Sequence, residues 1–130
     1  MVNLGSSTNI GTLAESDACQ FLEKQGLILL EKNYTAFNVN GKKVGEIDLI
    51  MRDGKYYIFV EVKSRQLDSH GDVLEMVIPQ KQSRLILATK YFLLRDRLWD
   101  KVHCRFDVVG ISPNAKEPIV WIKDAFQVQY

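Results

Sequence analysis

The sequence contains few of the features that suggest a secreted or membrane protein. It has only two cysteines in 130 residues, Cys19 and Cys104, and neither belongs to a CxxC motif. A disulfide framework or a cysteine-rich zinc site is therefore not expected, and we interpret both thiols as small buried apolar side chains. No apolar run approaches the roughly 20 residues that span a bilayer, and the N-terminus lacks the pattern of a signal peptide. We expect a cytoplasmic protein with no membrane partner.

A clear excess of either charge is also missing. The chain carries 17 basic and 16 acidic side chains, so its total charge neither indicates nor excludes a nucleic-acid ligand. The basic residues are unevenly distributed, because the segment from Lys81 to Arg105 contains seven of them and only two acidic residues. This local excess predicts a basic surface on a protein whose net charge is close to zero.

The order of hydrophobic patterns predicts one α+β domain. Residues 1–11 are polar and contain glycine and serine, which predicts a flexible tail, and residues 12–130 form the domain. Apolar spacing predicts helices over 12–25 and 79–95 and strands over 27–37, 44–52, 56–62, 103–111 and 119–122. Helix, three strands, helix and further strands indicate a sheet with helices on its faces.

Two strands rich in aliphatic and aromatic residues flank the dipeptide Asp53-Gly54, which favours a tight hairpin turn. If those two residues form the loop, Arg52 faces Lys55, and Asp48 and Glu61 become diagonal neighbours on one face. The other face would be apolar and buried, and it would carry Ile47, Leu49, Met51, Ile58, Val60 and Val62. The Cα atoms of Asp48 and Glu61 would then lie about 7–8 Å apart. Two carboxylates at that spacing can bind one small cation.

Charged residues in such a strand require an explanation. Glu61 lies within the strongly apolar run from Tyr56 to Val62, and Lys63 follows it directly. Such a run is typical of a central strand. Buried charges are costly unless they are paired or bind a metal. Carboxylates suit Mg²⁺, which commonly binds one or two of them together with substrate phosphates, and a lysine on the same face suits charge on a phosphate. A solvated or ion-paired face is the alternative.

The segments GEIDLI (45–50) and FVEVKSR (59–65), separated by eight residues, resemble the YraN family of small bacterial proteins. Asp48 followed by Glu61-x-Lys63 also resembles the D…(D/E)xK signature of the PD-(D/E)XK nuclease superfamily. The resemblance implies a restriction-endonuclease-like αβββαβ core with a mixed central sheet flanked by helices. It also implies likeness to Holliday-junction resolvases, which pair two subunits, so a homodimer is a further expectation.

The resemblance implies roles for particular residues. Asp48, Glu61 and the backbone carbonyl of Val62 would hold Mg²⁺ or Mn²⁺, and Lys63 would activate water and stabilise developing charge. Glu15 has two interpretations, because Thr12 to Glu15 matches a helix capping box whereas a glutamate at this point belongs to the family's active site. The residues expected to contact nucleic acid lie after the third strand and at the start of the second helix (Arg65, Gln80, Lys81, Arg84).

These inferences predict a metal-dependent endonuclease that acts on nucleic acid, DNA rather than RNA, with branched or otherwise structured DNA as the expected substrate. One alternative is a nucleic-acid-binding module of the same fold that cuts poorly or not at all. The other is a structural protein in which Asp48, Glu61 and Lys63 form a buried ion-pair network.

Overall fold

A computed structural model describes residues 7–64 and 77–128, and side chains from residue 11 onward. Two helices and five strands follow one another along the chain: α1 (Ser7–Lys24), β1 (Ile28–Phe37), β2 (Lys43–Asp53), β3 (Tyr56–Ser64), α2 (Pro79–Arg95), β4 (His103–Ile111) and β5 (Ile119–Phe126). Neither helix is long and apolar enough to cross a membrane in the described part of the chain.

The five strands form one sheet in the order β1-β2-β3-β4-β5. Neighbouring strands are antiparallel except for β3 and β4, which are parallel. A parallel pair needs a crossover connection, and α2 lies within this one. The predicted α+β fold with a mixed sheet flanked by helices is therefore confirmed.

The sheet is buried on both faces, each under one helix. Side chains of α1 such as Leu22 pack with Leu49 and Val60 on one face. Side chains of α2 pack with Ile50 and Phe59 on the other. The hairpin was expected to have one apolar face. In the structure β2 and β3 are central strands with apolar residues on both faces. Charged side chains on these strands therefore lie in a largely dry environment.

Gly45 allows α2 to approach the sheet closely. A Cβ atom at this position would lie 2.5 Å from the backbone oxygen of Arg84 and 3.3 Å from the Cβ of Ala88. Only glycine fits this approach, so Gly45 brings the N-terminal half of α2 against β2.

Asp107 holds the edge strand β5 against β4. Its side chain is completely buried and accepts two hydrogen bonds from Arg105, at 2.9 and 3.0 Å. It also accepts one from Trp121 Nε1 and one from the backbone N–H of Asp124, both at 2.9 Å. A buried carboxylate needs hydrogen-bond partners, and these four bonds give Asp107 a structural role.

Three expectations need correction. The helix α1 begins at Ser7, so residues 7–11, assigned to a flexible tail, are helical, and residues 1–6 lie outside the described part. Thr12 therefore lies inside the helix and the predicted capping box is wrong. Cys104, expected to be buried, is exposed, whereas Cys19 is buried as expected.

Candidate functional site

The β2–β3 hairpin has a different register from the expected one. Asp53 pairs with Tyr56, and the loop is Gly54 and Lys55 rather than Asp53 and Gly54. The predicted register was wrong because Gly54 takes the first loop position instead of the second. Gly54 has a positive φ (58°), and a positive φ at the first loop position is typical of a type II′ turn. The regular pairing of β2 with β3 ends at Leu49 and Val60, and just beyond it the side chains of Asp48 and Glu61 are hydrogen-bonded to each other.

An irregularity in the sheet surrounds Asp48. Ile47 packs in the core beneath α2, and Leu49 packs in the core beneath α1. In a regular strand these two residues would share a face, and the sequence analysis placed them together. Asn33 on the neighbouring strand has a left-handed backbone (φ 52°), which asparagine tolerates better than most residues. Asp48 thus lies where the strands depart from regular pleating.

The carboxyl group of Asp48 is held by the strand that carries Glu61. Its Oδ2 accepts a hydrogen bond of 2.8 Å from the backbone N–H of Val62. Burial raises the pKa of Asp48 from its ordinary value to about 8, with further increases from the negative charges of Glu61 and Glu15 and from the hydrogen bond with Glu61. Burial therefore favours the protonated form of Asp48 in the metal-free protein.

Two ammonium groups converge on Glu61. This residue is only 3% exposed, and its Oε2 lies 3.3 Å from Lys63 Nζ and 3.4 Å from Lys81 Nζ. Lys63 shares the strand of Glu61, whereas Lys81 belongs to the first turns of α2. The two cations offset the burial of the carboxylate. The sequence analysis assigned Lys81 to phosphate binding and did not predict its contact with Glu61.

Glu15 reaches the same region from α1. Its side chain forms a hydrogen bond with Asn33. Burial raises the pKa of Glu15, that hydrogen bond lowers it, and the charges of Glu46 and Glu61 raise it again. Glu15 therefore lies in the electrostatic field of the carboxyl pair, and its part in an active site stays a prediction. The role of Asn33 was missed, and its only sequence signal is a polar residue within a strand.

Of the other residues predicted to bind nucleic acid, two lie on α2 and one lies outside the described residues. Gln80 and Arg84 are exposed on the N-terminal half of α2. Glu46, on the same strand as Asp48, forms a 2.9 Å ion pair with Lys43. Arg65 lies outside the described residues.

The donor set fits an open divalent-cation site. Within residues 7–64 and 77–128, no group of three or more His, Cys, Asp or Glu side chains is arranged to hold a metal. Asp48 and Glu61 supply two adjoining carboxyl groups, which is the number that Mg²⁺ commonly takes from a protein while keeping water and phosphate ligands. A dication would replace the proton that burial favours on Asp48 and would satisfy both carboxylates at once.

Comparison with known sequences gives a consistent family assignment. Residues 14–111 match an uncharacterised protein family, UPF0102. The chain is 44% identical over 121 residues to a UPF0102 protein of Coxiella burnetii, covering 93% of this chain and 94% of that protein. It is 39% identical over 129 residues to a UPF0102 protein of Pseudomonas putida KT2440, covering 98% and 99% respectively.

The fold also resembles one from a solved structure. The crystal structure of SSO0001 superposes with a TM-score of 0.53 at 18% sequence identity. The alignment covers 92% of this chain and 52% of that chain, so this chain spans about half of the larger one. At this level of identity the likeness concerns the fold alone.

Proposed function

The chain belongs to the uncharacterised protein family UPF0102, and we propose that it is a metal-dependent endonuclease. It would hydrolyse phosphodiester bonds of nucleic acid, DNA rather than RNA, with branched or otherwise structured DNA as the favoured substrate. The observation that carries the proposal is the hydrogen-bonded pair of Asp48 and Glu61 with two lysines against it. Asp48, Glu61 and Lys63 of this arrangement form the D…ExK motif in the sequence, and Lys81 joins them from α2.

The acidic pair would hold Mg²⁺ or Mn²⁺, with the backbone carbonyl of Val62 as a further ligand. When bound, the cation would polarise a phosphoryl oxygen and lower the pKa of a water molecule. The N–H of Val62 fixes one oxygen of Asp48, so the carboxyl group is already oriented before any ligand binds. Such preorganisation avoids an ordering cost during the reaction.

The two lysines would act on the phosphate. Lys63 and Lys81 contact one oxygen of Glu61 in the free protein. A cation bound to that carboxylate would replace the two lysines as its partner, and both ammonium groups would then bind an incoming phosphate. Lys63 would orient the attacking water and stabilise the charge that develops on phosphorus-bound oxygens. Lys81 would hold the backbone, and Gln80 and Arg84 on the same helix would add contacts that carry no sequence information.

Glu15 would act from the edge of the site. Its hydrogen bond with Asn33 holds the side chain within the field of Asp48 and Glu61. From that place it would bind the cation through a water molecule rather than directly.

One observation favours a second candidate, a nucleic-acid-binding module that cuts poorly or not at all. Glu61 is already neutralised by two lysines, and an ion-paired carboxylate needs no metal to remain buried. In that case the lysines would bind phosphate without hydrolysis.

The decisive experiment incubates the purified full chain with branched, flapped, single-stranded and duplex DNA and with RNA, in Mn²⁺, Mg²⁺ or EDTA. Cutting should require the cation and should favour branched over plain duplex DNA. Asp48→Asn and Glu61→Gln should each reduce it by about a hundredfold or more, since each removes a charged ligand. Cutting that persists in both variants would reject the proposal.

Glu46→Gln is the matched control. It removes a carboxylate from the same strand, two residues from Asp48, but one that is exposed and paired with Lys43. This variant should cut at the wild-type rate. If all three variants bind DNA normally and the wild type never cuts, the binding-module candidate is favoured.

A further inference from the structure

A cavity of about 480 Å³ lies at the other end of the sheet from Asp48. It is bounded by α2, the loop that follows α2, the start of β4 and the end of β5. Apolar and aromatic side chains provide much of its surface (Ile86, Leu93, Trp99, Val102, Phe106, Phe126). Its volume falls in the range of small-molecule sites in proteins.

An unpaired polar group marks the wall of this cavity. Thr89 lines it, is only 4% exposed, and carries the one buried side-chain oxygen or nitrogen without a hydrogen-bond partner in the part of the chain described. A buried hydroxyl without a partner is costly. A ligand with a hydrogen-bonding edge would satisfy it.

The other lining residues favour a flat aromatic ligand. Phe106 and Phe126 stack with ring centroids 4.9 Å apart, and Trp99 lines the cavity while remaining 48% exposed. Asp100 and Asp124 also line it, which disfavours an anion inside. Lys90, exposed on α2, provides a cation at the same cavity. A neutral planar ring inside and a phosphate near Lys90 would match these groups.

The cavity and the carboxyl pair lie on the same face of the sheet. Lys81 of α2 contacts Glu61, and Lys90 of the same helix lines the cavity. Nine residues of helix separate these two lysines, a rise of about 14 Å. At about 100° per residue the two lysines leave opposite sides of α2, so a nucleic-acid strand that contacts both places would have to cross the helix.

We propose that this cavity binds the base of an unpaired nucleotide, with Trp99 stacking on the base and Thr89 hydrogen-bonding its edge. The proposal rests on the proposed function for the identity of its ligand. Unpaired bases are commonly held by stacking on aromatic side chains. A free mononucleotide and a single-stranded stretch of a polymer both carry such an unpaired base.

The test measures binding of the full chain in EDTA, so that no cutting occurs. Quenching of tryptophan fluorescence is followed with adenosine monophosphate, with a short oligo-dA strand, and with the same strand in a blunt duplex. Quenching that depends on Trp99 is expected with the single strand and not with the duplex. A response to the mononucleotide as well would identify a site for free nucleotides, and a response to the strand alone would identify a polymer site.

Variants are compared by anisotropy of a labelled single strand. Trp99→Ala should weaken binding about tenfold, and Thr89→Val about threefold, without lowering the melting temperature, because no bond within the protein is lost. Tyr56→Ala removes an aromatic ring of similar exposure (46%) that lies outside the cavity lining and should bind normally. Unchanged binding in both cavity variants, or equal quenching by the duplex, would overturn the proposal.

Failure of this proposal can be told apart from failure of the proposed function. Asp48→Asn should abolish cutting and leave the Trp99-dependent binding unchanged. If the wild type binds through Trp99 but never cuts, the cavity assignment stands alone. If it cuts normally and Trp99→Ala binds like the wild type, the endonuclease proposal stands alone.

Discussion

Lys81 Nζ lies 3.4 Å from Glu61 Oε2, so an ion pair joins the start of α2 to the end of the β2–β3 hairpin. The same oxygen is contacted by Lys63 at 3.3 Å. Glu61 is nearly inaccessible, whereas the side chains of Lys63 and Lys81 are 26% and 34% exposed. The two lysines therefore connect a buried carboxylate to the surface where a phosphate would approach.

Lys81→Met tests this connection. The variant should remain folded, because Lys63 still neutralises Glu61, but it should bind DNA more weakly across all sequences. The slope of log affinity against log salt concentration should fall by about one. Lys101→Met, which removes an exposed cation from the same basic segment, is the control. An unchanged salt slope in Lys81→Met would show that Lys81 does not contact phosphate.

The pKa of Asp48 predicts a pH-dependent stability in EDTA. Because burial raises this pKa from 3.8 to about 8, folding favours the protonated form. The stabilising contribution is complete below about pH 4 and is lost as the pH rises through about 8. Asp48→Asn keeps an oxygen acceptor for Val62 but cannot ionise. The melting temperature of the variant minus that of the wild type should therefore increase between pH 4 and 9, and a constant difference would contradict the pKa shift.

The same proton should control binding of a divalent cation. A cation at Asp48 must displace the proton that burial retains there, so one proton is released on binding. Stabilisation of the wild type by Mn²⁺ should accordingly be larger at pH 8 than at pH 6, measured as the increase in melting temperature over EDTA. Asp48→Asn should lose most of this increase. An equal effect of Mn²⁺ on the variant would place the cation elsewhere.

The sequence predicted the elements better than the contacts between them. The apolar spacing predicted α2 over the residues that it occupies, because this signal is local. The predicted hairpin register was wrong because Asp53-Gly54 was taken as the loop. The predicted face of Ile47 was wrong because regular alternation of side chains was assumed across Asp48. The Lys81–Glu61 pair depends on how α2 packs, which no local pattern specifies. The contributions of these residues to catalysis stay predictions.

Gly45→Ala should destabilise the protein by displacing α2. The added methyl group would meet the backbone oxygen of Arg84 at 2.5 Å, and relieving such overpacking typically costs about 1–3 kcal/mol. The measurement is urea unfolding. Gly11→Ala is the matched control, because a Cβ there meets nothing within 4 Å and glycine inside a helix costs about 0.5–1 kcal/mol relative to alanine. The control should be more stable than the wild type, and a similar loss in both variants would contradict the close approach.

Asp107→Asn should loosen β5 and lower the free energy of unfolding. The buried carboxylate accepts hydrogen bonds from Arg105, Trp121 and Asp124, and an asparagine would replace one acceptor oxygen by an NH₂ group facing donors. Removing one partner of a buried ion pair costs about 3–5 kcal/mol. Amide hydrogen exchange should increase most in β5, because β5 is an edge strand paired on one side only. Asp124→Asn, which alters an exposed carboxylate and keeps the backbone N–H, should exchange like the wild type. Uniform acceleration over the whole sheet in Asp107→Asn would show that Asp107 supports the entire domain rather than its last strand.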